Sequence, residues 1–375
     1  MMTKQWIMAA ALGLALAAGC KQKEEPPAGA ASGSARAAPP AEGSAPRPAE
    51  APPPRPAPKT GAALARAFVD CAALASAGAW DDYGARCLAA SFVGHHADDE
   101  DVVREQLLPR LQSARVAFPD LSYVPQLVLV SGRAVIAVSL MKGTHDGPLQ
   151  SASRTIPPTK KKLGVLVYER AAMDDEARLI EQWAYTDPGT LAGQLGLRAG
   201  AAPVRPALAQ GVPAPVIAVA ADDPREQGNL AAVRTVIDAL NARDLAGALA
   251  GYADTVRISD QAAPADVSGK QALGQELQAR WRAFPDGRLE VSGLWAVGDH
   301  VALEGTFTGT QTGPLAPQPK ADKRIAVHHA EVLRLEGGKI VEEWRFSNSV
   351  ALAQQLSAAP GAAAKSTAPD PPAAR

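Results

Sequence analysis

Aromatic side chains are scarce in this 375-residue chain, at 5% of positions. So few flat rings argue against a stacking platform for nucleic-acid bases. Neither sign of charge dominates, since 38 Lys and Arg against 39 Asp and Glu leave a formal net charge of −1. A general nucleic-acid binder would carry a basic excess or a clustered basic face, so no nucleic-acid partner is expected. Long apolar runs are missing too: Ile7–Ala18 spans only twelve residues, against the roughly 20 that a membrane-crossing helix needs. No Gly-rich phosphate loop, zinc signature or nucleophile elbow occurs, and neither a cofactor nor a metal is expected. Cysteine appears three times, as Cys20, Cys71 and Cys87.

What is present begins with an address. Lys4 precedes the apolar run, which ends in Leu16-Ala17-Ala18-Gly19-Cys20. Small residues before a cysteine at the end of such a run resemble a bacterial lipoprotein signal. That resemblance implies removal of residues 1–19, lipidation of Cys20 and anchoring to a membrane of the cell envelope, on the periplasmic face or outer surface. Residues 20–60 then read as a tether. The stretch 21–60 holds 11 of the 32 prolines and no aromatic residue, so it offers nothing to offset the entropy of folding. The tail 359–375 is similar. Export places Cys71 and Cys87 where disulfides persist. Both fall in predicted helices around the turn Ala77-Gly78-Ala79, and a disulfide or two buried thiols fit that spacing.

The clearest internal signal is a repeat. Ala117-Phe118-Pro119-Asp120 recurs as Ala283-Phe284-Pro285-Asp286, and the same offset of 166 carries Gly143-Thr144 to Gly309-Thr310 and Gly147-Pro148-Leu149 to Gly313-Pro314-Leu315. An offset of 161 then carries Pro158 to Pro319, Glu181 to Glu342, Trp183 to Trp344 and Gln194-Leu195 to Gln355-Leu356. The chain is a duplication. The copies cover 61–198 and 227–358, each of ordinary size for one core, and the Ala/Pro-rich 199–226 reads as a linker.

Each copy opens with helical periodicity, as at Leu230, Val233, Val236, Ile237 and Leu240, and at Leu273, Leu277 and Trp281. Each closes with strands, expected in the second copy at 289–297, 300–308, 323–335 and 339–346, with Gly337-Gly338 turning the last hairpin and a short helix over 349–356. Helices followed by antiparallel strands predict an α+β fold, helices packed on one face of a curved, mainly antiparallel sheet.

In order, the Ala-Phe-Pro-Asp block, Gly298-Asp299-His300-Val301-Ala302, Gly-Thr, Gly338-Lys339-Ile340, Glu-x-Trp and Gln-Leu resemble the SnoaL-like family, the polyketide or ester cyclases of the nuclear transport factor 2-like superfamily. The resemblance spans both copies and implies two tandem cone-shaped domains, each enclosing a pocket. It also implies acid–base chemistry by a carboxylate four residues after the motif Trp. In the first copy that residue is Asp187, with His145 placed to orient a substrate carbonyl. Strand alternation puts Glu181, Trp183, Tyr185 and Asp187 on one face, so Trp183 and Tyr185 become candidates for the pocket lining.

Asp187-Pro188 is equally a helix start, with Asp as N-cap and Pro at N1. The second copy has Asn348 there, which caps as well but cannot shuttle a proton. His145 likewise becomes Gln311, which hydrogen-bonds without titrating. The second pocket is therefore expected to be lined by Trp344, Asn348, Gln311 and His329 without catalysing the family reaction. The run His95–Asp101 has metal-ligand residue types but reads as an acidic loop entering a helix. His328 and His329 are neighbours on a strand and point to opposite faces. Three roles remain open for the pair of domains: binding a small apolar or amphipathic molecule without turnover, proton-transfer catalysis by the first copy, or packing together as an intramolecular pseudo-dimer.

Overall fold

The computed structural model describes residues 60–96, 100–151, 154–198, 203–315 and 320–357. The signal, Cys20, nearly all of the tether and the tail lie outside them. Domain 1 begins with helices α1 (Gly61–Ala77) and α2 (Trp80–Cys87), strands β1 (Leu88–His96) and β2 (Val102–Val103), and helix α3 (Arg104–Ala117). Strands β3 (Ser122–Ser131), β4 (Ala134–Thr144), β5 (Leu149–Gln150), β6 (Thr155–Ile156), β7 (Lys162–Met173) and β8 (Leu179–Tyr185) follow, closed by helix α4 (Pro188–Gln194). After β9 (Val216–Val219), domain 2 repeats the plan. It has α5 (Pro224–Ala242), α6 (Leu245–Ala250), β10 (Tyr252–Asp260), β11 (Val267–Ser268) and α7 (Lys270–Ala283). Four long strands complete it, β12 (Arg288–Val297), β13 (His300–Gln311), β14 (Lys323–Glu336) and β15 (Lys339–Ser347), before α8 (Ser349–Ser357). The expected late strands and the closing helix are all found.

The main sheets run β2-β1-β8-β7-β4-β3-β9 and β11-β10-β15-β14-β13-β12. Both are mixed, because β1 and β10 pair parallel with β8 and β15 while the long neighbours pair antiparallel. Sequence periodicity did not predict these two parallel strands. Both are bulged at their joints with β8 and β15, which interrupts the alternation that marks a strand. The segment expected to be only a linker contributes a strand as well, β9, pairing parallel with β3 from Leu127↔Val216 to Val130↔Val219.

Local chemistry explains the ends of the elements. Thr60 caps α1 by accepting from the Ala63 N–H, and Gly78 ends the helix at φ 71°. A left-handed C-cap favours glycine because no Cβ resists it. Leu64, Ala65, Phe68, Cys71 and Ala75 form its buried stripe. A Cys71–Cys87 disulfide, with Cα atoms 5.8 Å apart, ties α1 to the end of α2.

The repeated sequence blocks are locks in the scaffold. Asp120 accepts from the Thr144 N–H and hydroxyl at 2.6 and 2.8 Å, and Asp286 does the same with Thr310 at the same distances. A side chain at Gly147 or Gly313 would collide with the Val116 or Arg282 carbonyl. Gln194 and Gln355 each grip one strand residue twice, at Gly164 and Ala326, fastening the closing helix to the sheet.

Each sheet has two buried faces. The inner faces meet the helices and make the two cones. The outer faces meet each other. Leu127, Leu129, Ile136, Val138, Tyr168 and Tyr185 from sheet 1 form one cluster with Val297, Ala302, Ala330, Val332 and Phe346 from sheet 2. Within it Arg170 bonds Glu304 at 2.8 Å, both buried. No helix among the described residues is long and apolar enough to cross a membrane.

Candidate functional site

Strand alternation decides which side chains can reach a ligand. Along β8, Trp183 and Tyr185 pair with Arg170 and Tyr168 of β7, all on the outer face. The Arg170 guanidinium sits 3.6 Å from the Trp183 ring centroid, and His95 stacks on the same ring at 4.6 Å. Trp183, Tyr185 and Trp344 therefore belong to the contact between the sheets, where the sequence suggested pocket lining. Glu181, Trp183 and Tyr185 do share one face as expected, but it is the face turned toward the other domain.

Asp187 lies beyond the strand, at the N-cap of α4. Its Oδ2 accepts from the Thr190 N–H at 2.8 Å. Its Oδ1 accepts from the Ser349 N–H at 2.9 Å and the Ser349 hydroxyl at 2.6 Å, across the domain boundary. Three donors hold this buried carboxylate. Asn348 caps α8 through the Val350 and Ala351 N–H groups.

His145 and Gln311 also share one structural task. The Thr159 N–H approaches His145 Nδ1 at 3.2 Å, and the Ala321 N–H approaches Gln311 Oε1 at 3.1 Å. Both side chains are fully buried and pin the loop ahead of the next long strand. His145 stacks on Phe118, and burial pushes its imidazole below its ordinary value. An imidazole that resists protonation, with Nδ1 given to the loop, suits a pin. His95 pairs with Asp101 at 2.8 Å, and no group of three or more possible metal ligands occurs among the described residues.

The chemistry inside the first cone centres on Glu169, which sequence reasoning missed. Glu169 faces inward from β7, opposite Ala137 of β4 and Ala184 of β8. Its carboxylate accepts from Ser139 Oγ at 2.9 Å and Gln182 Nε2 at 2.7 Å. It is partly buried. Burial raises its carboxyl above the usual range, and the two neutral hydrogen bonds offset that only in part. Tyr83 and Tyr123 lie close by. Burial first, and then the Glu169 carboxylate, push both phenols up. A carboxyl with a raised pKa beside two phenols can accept, donate or hold a proton.

Domain 2 keeps this glutamate and surrounds it with charged side chains. Glu331 occupies the equivalent place on β14, facing Leu303 and Arg345. His329, an expected pocket residue, is on this inner face and bonds Glu331 through Nε2 at 2.6 Å. Arg345 bonds Glu276 at 2.6 Å and also pairs with Glu343, while Arg280 bonds Glu276 at 2.6 Å. Burial acts to remove the Arg345 charge, but Glu343 and Glu276 outweigh it and keep the guanidinium charged. The second cone thus contains its own ion pairs.

The missed signal was Glu169 itself, a charged residue within the apolar run Leu163–Ala172, matched by Glu331 at an offset of 162. It fell outside the two offsets that define the repeat.

The solved structures that this chain is similar to each cover about one of its domains. AclR from Streptomyces galilaeus, named as a candidate hydroxylase, is 28% identical over 36% of this chain and 84% of its own, with a TM-score of 0.33. A candidate SnoaL-like polyketide cyclase from Jannaschia sp. CCS1 is 22% identical over 37% and 97%, with a TM-score of 0.35. TsrD from Streptomyces laurentii is 22% identical over 36% and 98%, with a TM-score of 0.32. No curated protein matches the chain. The family model for SnoaL-like polyketide cyclase matches residues 62–195 and again 230–356. With most of its length matched in two consecutive segments and an α+β cone behind each, the chain belongs to the SnoaL-like polyketide cyclase family.

Proposed function

We propose that this chain is a lipid-anchored binding protein of the cell envelope. In this reading the cone of domain 1 receives a small, largely apolar molecule, and domain 2 is its built-in dimer partner. One observation carries it: the hydrogen-bond partners of Glu169 are neutral and Ala184 lies beside it, whereas the equivalent Glu331 lies among the protein's own ion pairs. A pocket that fills itself offers little to a ligand, while a half-buried carboxyl beside two phenols offers polar contacts in an apolar wall. The apolar contact between the sheets supports an intramolecular pseudo-dimer. The sequence ending in Gly19-Cys20 supports the anchor. Replacing Cys20 by Ser should move the protein from the membrane fraction to the soluble one.

Native mass spectrometry of the full chain, incubated with an envelope metabolite extract, tests the pocket. A retained mass that disappears in Ala184→Arg supports binding in the first cone. A mass that survives this change sinks the assignment.

The raised carboxyl of Glu169 favours one second reading, proton transfer on a carbonyl compound in domain 1. Glu169, rather than Asp187, would then be the acid–base group. Turnover of a substrate from the same extract should fall by roughly 100-fold or more in Glu169→Gln.

A further inference from the structure

The same glutamate stands in both cones, but its hydrogen-bond partners are neutral side chains in domain 1 and a histidine in domain 2. Glu169 faces Ala137 and Ala184, and Glu331 faces Leu303 and Arg345. The register therefore makes Ala184 the counterpart of Arg345, and Val167 the counterpart of His329. On the helix above, Ala114 is the counterpart of Arg280. Three side chains able to carry positive charge in domain 2 are thus small and neutral in domain 1. The exchange runs the other way at Glu276, whose counterpart is the buried Arg110 of α3, but Arg110 is not among the groups that act on the Glu169 carboxyl.

The consequence for each carboxylate is opposite. Burial would raise the Glu331 carboxyl, but the His329 hydrogen bond and the charges of His329, Arg345 and Arg280 hold it below its usual range. Among the described residues, Glu169 has only Ser139 and Gln182 to offset burial, and both are neutral. A buried carboxylate without a counter-ion costs several kcal/mol. Retaining it in a binding recess makes physical sense if the missing charge arrives with the ligand.

Space points the same way. Glu169 and Glu331 are both partly buried, but Ala184 keeps accessible surface at the place where Arg345 is buried at 3% exposure. Tyr83 and Tyr123 stand close enough for the Glu169 charge to act on both phenols. Aromatic faces attract cations by ring electrostatics.

We propose that domain 1 binds a small organic cation, whose ammonium or guanidinium group takes beside Glu169 the place that Arg345 takes beside Glu331. The proposal rests on the reading of the first cone as the binding site, and it names the ligand class. The charged head makes charge-assisted hydrogen bonds to Glu169. The apolar remainder lies along the cone wall, and Tyr83 and Tyr123 flank the head.

The test is calorimetric titration of the full chain with two probes of equal length, hexylammonium chloride and 1-hexanol. Hexylammonium should bind at least tenfold more tightly. That preference should vanish in Glu169→Gln and persist in Glu331→Gln. Because burial raises the Glu169 carboxyl and a bound cation would lower it again, binding should also release protons within the titration range of that carboxyl, seen as a heat that varies with buffer ionisation enthalpy. Ala184→Arg, which supplies the arginine of domain 2, should abolish binding of both probes while leaving a cooperative thermal transition. Equal affinities for the two probes, both abolished by Ala184→Arg, would overturn the cation and leave the pocket standing. No binding by either probe would overturn both.

Discussion

Asp187 and Ser349, 162 residues apart, join the two domains through one carboxylate oxygen. Oδ1 accepts from both the N–H and the hydroxyl of Ser349, while Oδ2 caps α4 through Thr190. The residue that the family resemblance marks for catalysis is therefore a fastener. An isolated cap tolerates Asn at a cost of a few tenths of a kcal/mol. Here the amide nitrogen of Asn would face a donor at one oxygen position or the other. Asp187→Asn should lower unfolding free energy by about 1–3 kcal/mol, as expected for losing a charged acceptor at buried donors. Binding in the first cone should be unchanged. Denaturant unfolding and a binding titration on the same variant check both statements.

Arg170 and Glu304 provide a second junction. The pair is buried, and the guanidinium lies over Trp183 with Trp295 at 5.2 Å. Removing one partner leaves an uncompensated charge, so Arg170→Met or Glu304→Gln alone should cost about 3–5 kcal/mol. The double variant should recover much of that loss. A double-mutant cycle measured by denaturant unfolding reads the coupling, and additive losses would contradict it.

The Cys71–Cys87 bond closes a short loop, with a sequence separation of 16. A loop of that size is expected to contribute about 3 kcal/mol by restricting the unfolded chain. Cys71→Ser with Cys87→Ser should lower stability by that order without disturbing domain 2. Hydrogen exchange should locate the loosening at α1 and α2.

Glu169 should make the protein's stability depend on pH in a direction opposite to that of a salt-bridged acid. Its folded-state carboxyl is raised from a reference of 4.5 because burial penalises the charge. Below the reference value both folded and unfolded states are protonated, and the penalty is absent. As pH rises, the unfolded state ionises first, and stability falls until the folded carboxyl ionises as well. Glu169→Gln should flatten this decline, so its stability relative to wild type should improve from about pH 4 toward neutrality. An unchanged pH profile would place Glu169 in a polar environment that the geometry does not show.

The repeated blocks were legible because each performs one local task in both copies. Asp120 and Asp286 hold Thr144 and Thr310, and Gln194 and Gln355 grip the adjoining strands. Hydrogen-bond locks and tight glycine contacts tolerate few alternatives, so they survive in sequence as matching letters. The site was less legible for the same reason reversed. Its character lies where the copies differ, at Ala184 against Arg345 and Val167 against His329, and differences give a repeat search nothing to align. Trp183 and Tyr185 were placed correctly on one face but assigned to the wrong side of the sheet. Alternation sorts a strand into two faces and does not say which one meets the helices.

By itself the sequence determined the duplication, the α+β class, most of the strands and helices, and the family. These follow from periodicity, turn residues and short-range locks, all of which act over a few neighbouring positions. Only the tertiary structure decided that the outer faces of the two sheets meet and that Asp187 is spent on fastening them. It also decided that Glu169 is the carboxyl inside the first cone whose hydrogen-bond partners, Ser139 and Gln182, are neutral. Those facts depend on which distant side chains share a space, and on whether a buried charge finds a partner there.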